Sequence, residues 1–98
     1  MPGYTNETQY PKGIATQIGV GTLTVGGLGS PVKVNSVLIS VVTTKGFFVL
    51  RPPTGPWYAA LQLPPDTSFE IQSGAEYPDG LVIDVPTNGN ATVFYFQA

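Results

Sequence analysis

The chain has 98 residues with four basic and six acidic side chains, and it contains neither His nor Cys. This length suits one domain. Without His or Cys the chain cannot form a Ser-His or Cys-His catalytic pair or a disulfide framework. Four scattered cationic residues give no basic patch for phosphate groups, so we expect no nucleic-acid partner.

Charged residues make up 10% of the chain, less than half of the roughly 25% in an average domain. Interface cores are also poor in charge and rich in aromatics. The composition therefore favours a homo-oligomer over a monomer with a neutral polar coat. The start of the chain lacks the pattern of a signal peptide, and no apolar run approaches the ~20 residues that cross a bilayer. We expect no membrane partner. The absence of disulfides in so small a domain favours folding in a reducing cytoplasm, or stability gained from oligomerisation.

Residues 1–13 are polar and contain several Pro and Gly residues without periodicity. We expect an extended N-terminal arm here, followed by one β domain over residues 14–98. Tyr4, Tyr10 and Pro11 are the arm's candidates for contact with a partner. Two interpretations stay open, which are a frayed terminus and an arm that lies on a neighbouring subunit.

Apolar residues alternate along residues 14–42, and the alternation changes phase twice. The changes fall near Gly21 and across Asn35-Ser36. A Gly inside a strand pattern often marks a bulge or bend, so residues 14–26 are predicted to form one bent strand or two short strands. Three Gly residues and a Pro predict a loop over residues 26–31.

Residues 36–50 contain a β-branched apolar run and an aromatic apolar run, joined at residues 43–46. This pattern predicts a β-hairpin at the centre of the core. Phe47 and Phe48 point to opposite faces of the second strand, as expected of a strand that is covered on both sides.

Three prolines over residues 51–56 predict a rigid loop. The loop ends at Trp57 and Tyr58, which are candidates for stacking on a sugar ring in a carbohydrate- or receptor-binding module. The alternative is that Trp57 caps the end of the core. Residues 57–63 are predicted to form the next strand, with Leu61 and Leu63 inward, and the alternation over residues 67–72 places Phe69 inward.

Asn88-Gly89 is a strong turn signal, and residues 77–97 are predicted to form a second hairpin. Its last strand keeps apolar side chains on both faces up to Phe94 and Phe96, which need cover from elsewhere. Together with Phe47 and Phe48, these residues are the predicted oligomer interface.

Seven to eight strands at roughly 8–12-residue spacing, without any amphipathic helix, predict an all-β fold. We expect a single β-sandwich or jelly-roll-like domain.

Acidic residues offer the remaining chemistry. Glu70 and Asp84 could form a carboxylate pair for glycoside hydrolysis, and Asp66 or the Glu76/Asp79 turn could bind Ca²⁺. No loop repeats acids at ligand spacing, and solvent-facing acids explain the pattern more simply. We therefore expect no enzyme, no catalytic residues, no metal and no cofactor.

The closing segment runs from Asp79-Gly80-Leu81 through Asn88-Gly89 to Thr92-Val93-Phe94-Tyr95. It is similar to small virion proteins of tailed bacteriophages, in which a Gly-Leu-x-apolar … Gly-x-x-Thr-Val-x-Tyr hairpin closes a β-sandwich or jelly roll. The resemblance covers mainly residues 32–97.

The resemblance implies a capsid decoration, or cement, protein on the outer phage head. Such a protein is often a trimer at threefold positions and contacts the major capsid protein. Its location would be the virion, assembled in the cytoplasm of the host bacterium. Neck, tail and fibre components share the same appearance and remain alternatives. The resemblance carries no catalytic residues with it.

Overall fold

The computed structural model describes residues 13–97, which hold nine β-strand segments in two antiparallel sheets. Sheet A contains, in spatial order, β1 (Gly13–Ile18), β9 (Gly89–Gln97), β3 (Val32–Val41) and β6 (Thr67–Gln72), and the short β7 (Glu76–Tyr77) also pairs with β3. Sheet B contains β2 (Gly21–Val25), β8 (Leu81–Val85), β4 (Gly46–Arg51) and β5 (Ala59–Leu63). Within this part of the chain, no helix is long and apolar enough to cross a membrane.

The two sheets pack face to face around one hydrophobic core and form a β-sandwich. Successive side chains of a strand point to opposite faces, so each strand contributes every second residue to the core. The largest fully buried side chains come from both sheets: Phe48, Leu81 and Ile83 from sheet B, and Val32, Val34, Val37, Ile39, Val41 and Val93 from sheet A.

Both predicted phase changes correspond to features of the backbone. The pairing of β3 with β9 shifts register between Val34 and Ser36, which is the position of the second phase change. The segment around Gly21 is two short strands, because β1 ends at Ile18 and β2 begins at Gly21.

The predicted hairpin over residues 36–50 is wrong. β3 belongs to sheet A and β4 to sheet B, so the connection over residues 42–45 crosses from one sheet to the other. Thr43 has a φ of 74° and its N–H donates to Asp66 Oδ1 at 2.9 Å. A positive φ is uncommon for a β-branched residue, and here it accompanies the change of sheet.

The predicted hairpin over residues 77–97 is wrong for the same reason, since β8 lies in sheet B and β9 in sheet A. The turn itself is confirmed. Asn88 has a φ of 63°, and the Gly89 N–H donates to the Pro86 carbonyl at 3.0 Å. Apolar alternation marks strands that share a core, but it does not distinguish a partner beside a strand from one across the sandwich.

Phe69 is another correction, because it is 47% exposed rather than buried. Its register with Ile39 places it on the inner side of sheet A, but β6 is the edge strand there. The predicted arm over residues 1–13 lies outside the described residues except for Gly13, which is the first residue of β1.

Candidate functional site

The outer face of sheet A carries a group of apolar side chains that we call the apolar face: Ile14, Ile18, Leu38, Phe94 and Phe96. Ile14 lies directly opposite Phe94 on the neighbouring strand. Ile14, Ile18 and Leu38 are exposed, and the two Phe side chains are half-buried. Aromatic and β-branched side chains in cross-strand pairs stabilise one another, and Ile14 with Phe94 is a pair of this kind.

Charges lie at the margin of the apolar face. At one end, Lys33 lies opposite Phe96 on β9 and opposite Glu76 on β7 in the strand register. Glu70 lies opposite Leu38 on the edge strand β6. The centre between them is neutral, with Thr16 and Thr92 hydroxyls 3.4 Å apart. A centre of uncharged apolar and hydroxyl side chains inside a charged rim is the anatomy of a protein–protein interface.

The four residues predicted for an oligomer interface do not come together. Phe94 and Phe96 lie on the apolar face, whereas Phe47 lies on the outer face of sheet B. Phe48 is fully buried in the core. The assignment of Phe48 to an interface is therefore corrected, because the domain's own second sheet covers it.

Ile14, Ile18 and Leu38 were not predicted as members of an exposed face. The signal was present, because each shares its parity with outward-facing polar residues of its strand. Ile14 alternates in step with Thr16, and Leu38 with Ser40. An apolar residue on the polar parity is the pattern that identifies such a face.

Trp57 and Tyr58, predicted as one stacking site, point to different places. The Trp57 ring packs edge-on against Phe47, with centroids 6.3 Å apart. The Tyr58 ring packs against Tyr77 at 4.9 Å. Trp57 does not cap the core either, because it is exposed and its ring partner lies on the outer face of sheet B.

A shallow groove of about 370 Å³ lies beside this aromatic pair, lined by Lys45, Gln62, Leu63, Pro64 and Pro65. Gln62 is directly opposite Phe47 in the pairing of β4 with β5. Gln62 therefore links the groove to Phe47, and we call the groove together with the Trp57–Phe47 pair the aromatic groove.

The same outer face of sheet B carries a bidentate ion pair. Arg51 Nε donates to Asp84 Oδ2 at 2.8 Å and Arg51 Nη2 to Oδ1 at 3.2 Å, and the Thr22 hydroxyl adds a bond at 3.4 Å. The hydrogen bond from Arg51 lowers the pKa of Asp84, and the same bond raises the pKa of Arg51. Asp84 is thus held as a carboxylate, which is unsuitable for a general acid near neutral pH.

The other sequence candidates are not brought together. Glu70 lies on the outer side of sheet A and Asp84 on the outer side of sheet B, so they form no carboxylate pair. No group of three or more metal-ligating side chains occurs among residues 13–97. The arm candidates Tyr4, Tyr10 and Pro11 lie outside the described residues.

No protein-family model, curated protein or solved structure matches the chain.

Proposed function

We propose that this chain is a structural virion protein of a tailed bacteriophage, a decoration protein that binds the outer head and stabilises it. Its partners would be further copies of itself, with a trimer favoured, and the major capsid protein. The observation that carries the proposal is the apolar face of sheet A. A neutral apolar surface of this kind on a charge-poor domain favours a role in assembly over a role in solution chemistry.

The size of the apolar face indicates how such assembly would work. The members of this face lie on β1, β9 and β3, and three strands at ~4.8 Å spacing with about six residues at ~3.3 Å rise give a footprint of roughly 300 Å². That is less than half of the ~800 Å² that each partner buries in a standard interface. Further contacts are therefore needed, and residues 1–13, as the predicted arm, are the segment proposed to supply them. Many modest contacts made at once hold a protein firmly through avidity.

Strand nesting supports the same role. Four antiparallel pairs enclose one another along the chain, from the outermost to the innermost: β1–β9, β2–β8, β3–β6 and β4–β5. The pairing of β9 with β3 completes sheet A, and the pairing of β8 with β4 completes sheet B. We propose on this basis that the sandwich is a jelly roll, a hairpin rolled on itself. Jelly rolls occur in viral capsid and lectin domains, which is support from fold-level analogy.

Native mass spectrometry and cosedimentation with undecorated capsids of the parent phage test this proposal. We expect a trimer that sediments with capsids. Ile14→Lys should weaken trimer formation at least tenfold, because it places a charge in the apolar face. Val20→Lys is the matched control, since Val20 and Ile14 are both 66% exposed and Val20 lies in the turn after β1. A wild-type protein that stays monomeric and does not bind capsids contradicts the proposal.

Deletion of residues 1–12 tests the arm separately and leaves β1 complete. Capsid attachment should weaken at least tenfold while the circular dichroism spectrum of the β domain is unchanged. If the shortened protein attaches to capsids as well as the full chain does, the arm has no part in attachment.

A further inference from the structure

We infer that the aromatic groove on sheet B is a binding site for a carboxylated oligosaccharide. The site consists of Trp57, Phe47, Gln62 and Lys45. This function goes beyond the proposed assembly role, and the site lies on the opposite side of the sandwich from the apolar face.

The aromatic part of the site is exposed. Trp57 is 59% exposed and Phe47 50% exposed, although their rings contact each other. A pyranose ring presents a flat face of C–H groups, and stacking it on an aromatic ring removes apolar area of both from water. Trp supplies this contact area with little side-chain entropy to lose.

The loop that carries Trp57 is held in place before any ligand arrives. Pro52, Pro53 and Pro56 restrict its backbone. At its end the Tyr58 N–H donates to the Leu50 carbonyl at 2.8 Å. Pre-organisation of this kind reduces the entropy lost on binding.

Polar groups lie where sugar hydroxyls would meet them. Gln62 is exposed and sits directly across from Phe47, and its carboxamide can both donate to and accept from a hydroxyl. At about 370 Å³ the adjoining groove lies at the low end of the ~300–1,000 Å³ typical of small-ligand sites.

Lys45 selects for an acidic sugar. It lines the groove and forms no salt bridge with any residue between 13 and 97. Arg51 on the same sheet is already paired with Asp84. The Lys45 ammonium therefore remains available for a ligand carboxylate, such as that of a uronic or sialic acid.

An array of carboxylated and neutral oligosaccharides, probed with the full chain, tests the inference, and titration calorimetry with the strongest probe gives the affinity. We expect at least one carboxylated glycan to bind. Trp57→Ala should abolish binding, and Lys45→Gln should weaken it at least tenfold and remove the preference over neutral glycans. Gln62→Ala is a second variant that leaves the aromatic pair in place, and it should weaken binding at least fivefold.

Tyr58→Ala is the matched control, because Tyr58 is the adjacent exposed aromatic residue but packs against Tyr77, and it should bind like the wild type. Silence across the array overturns the inference, as does equal binding of acidic and neutral glycans that Lys45→Gln does not change. The inference and the assembly role fail separately, since Trp57→Ala should still form trimers and Ile14→Lys should still bind the glycan.

Discussion

The two outer faces of the sandwich differ in their chemistry although both sheets share one core. On sheet A, apolar side chains such as Ile14 and Phe94 lie opposite each other, and the charges are at the margin. On sheet B an ion pair, Arg51–Asp84, occupies the face beside an exposed Trp57. An extended apolar surface suits a flat protein partner, whereas an aromatic ring with a few polar groups beside it suits a small polar ligand.

Adjacent residues of β4 serve different surfaces, since Phe48 lies in the core and Phe47 on the outer face of sheet B. Substitution of these two residues should give the largest difference. Phe48→Ala should lower the free energy of unfolding by about 3–5 kcal/mol, because it leaves a cavity in the core. Phe47→Ala should cost about 1 kcal/mol, mainly through its contact with Trp57. Urea denaturation measures both values, and equal costs would contradict the division between core and outer face.

Two glycines with positive φ, one beside each sheet, should differ in the stability lost when they are replaced by Ala. Gly80, before β8 of sheet B, has a φ of 86°, and an added Cβ would lie 2.5 Å from the Gly27 nitrogen. Gly74, after β6 of sheet A, has a φ of 74° and no atom within 4 Å of an added Cβ. We expect Gly80→Ala to cost about 3 kcal/mol or more and Gly74→Ala about 1 kcal/mol, as measured by thermal unfolding. Similar losses would mean that the close approach at Gly80 does not matter.

Glycan binding on sheet B and trimer formation through sheet A should respond differently to salt. Raising NaCl from 0.1 to 1 M shortens the screening length from about 10 Å to about 3 Å. Glycan binding through Lys45 should then weaken at least fivefold, whereas the trimer dissociation constant should change less than threefold because the apolar face is neutral. Calorimetry and native mass spectrometry measure the two constants, and a trimer that dissociates in high salt would show that charges hold it together.

The smallest expected effect is the loss of stability at acid pH that comes from the Arg51–Asp84 pair on sheet B. The lowered pKa of Asp84 means that its ionised form contributes stability in full above the ordinary carboxyl pKa of about 3.9. This contribution is lost as the pH falls through the lower pKa of the folded state. Between pH 4 and pH 2 the wild type should therefore lose stability more steeply than Asp84→Asn. The difference should be small, because both partners are partly exposed, and parallel pH profiles would contradict the role of the pair.

The candidate site could be predicted from the sequence only in part. Trp57 and Phe94 were identified because large apolar side chains stood where a strand face or a loop should be polar. The grouping of Phe47 with Trp57 and Gln62 was not predicted, because they meet only after β4 pairs with β5 and the proline loop folds back. Phe48 was misassigned because parity gives two faces without saying which of them is inside.

By itself the sequence determined the all-β class, the turn at Asn88, the phase change across Asn35-Ser36 and the core positions of β3 and β8, because alternation and turn chemistry are local properties. Only the tertiary structure decided that residues 42–45 cross between the sheets and that β8 and β9 do not pair. A strand shows the same apolar alternation whether the next strand in the chain pairs beside it or packs across the sandwich from it. The choice between them depends on the geometry of short connections, such as the positive φ of Thr43, and on the packing of the whole domain.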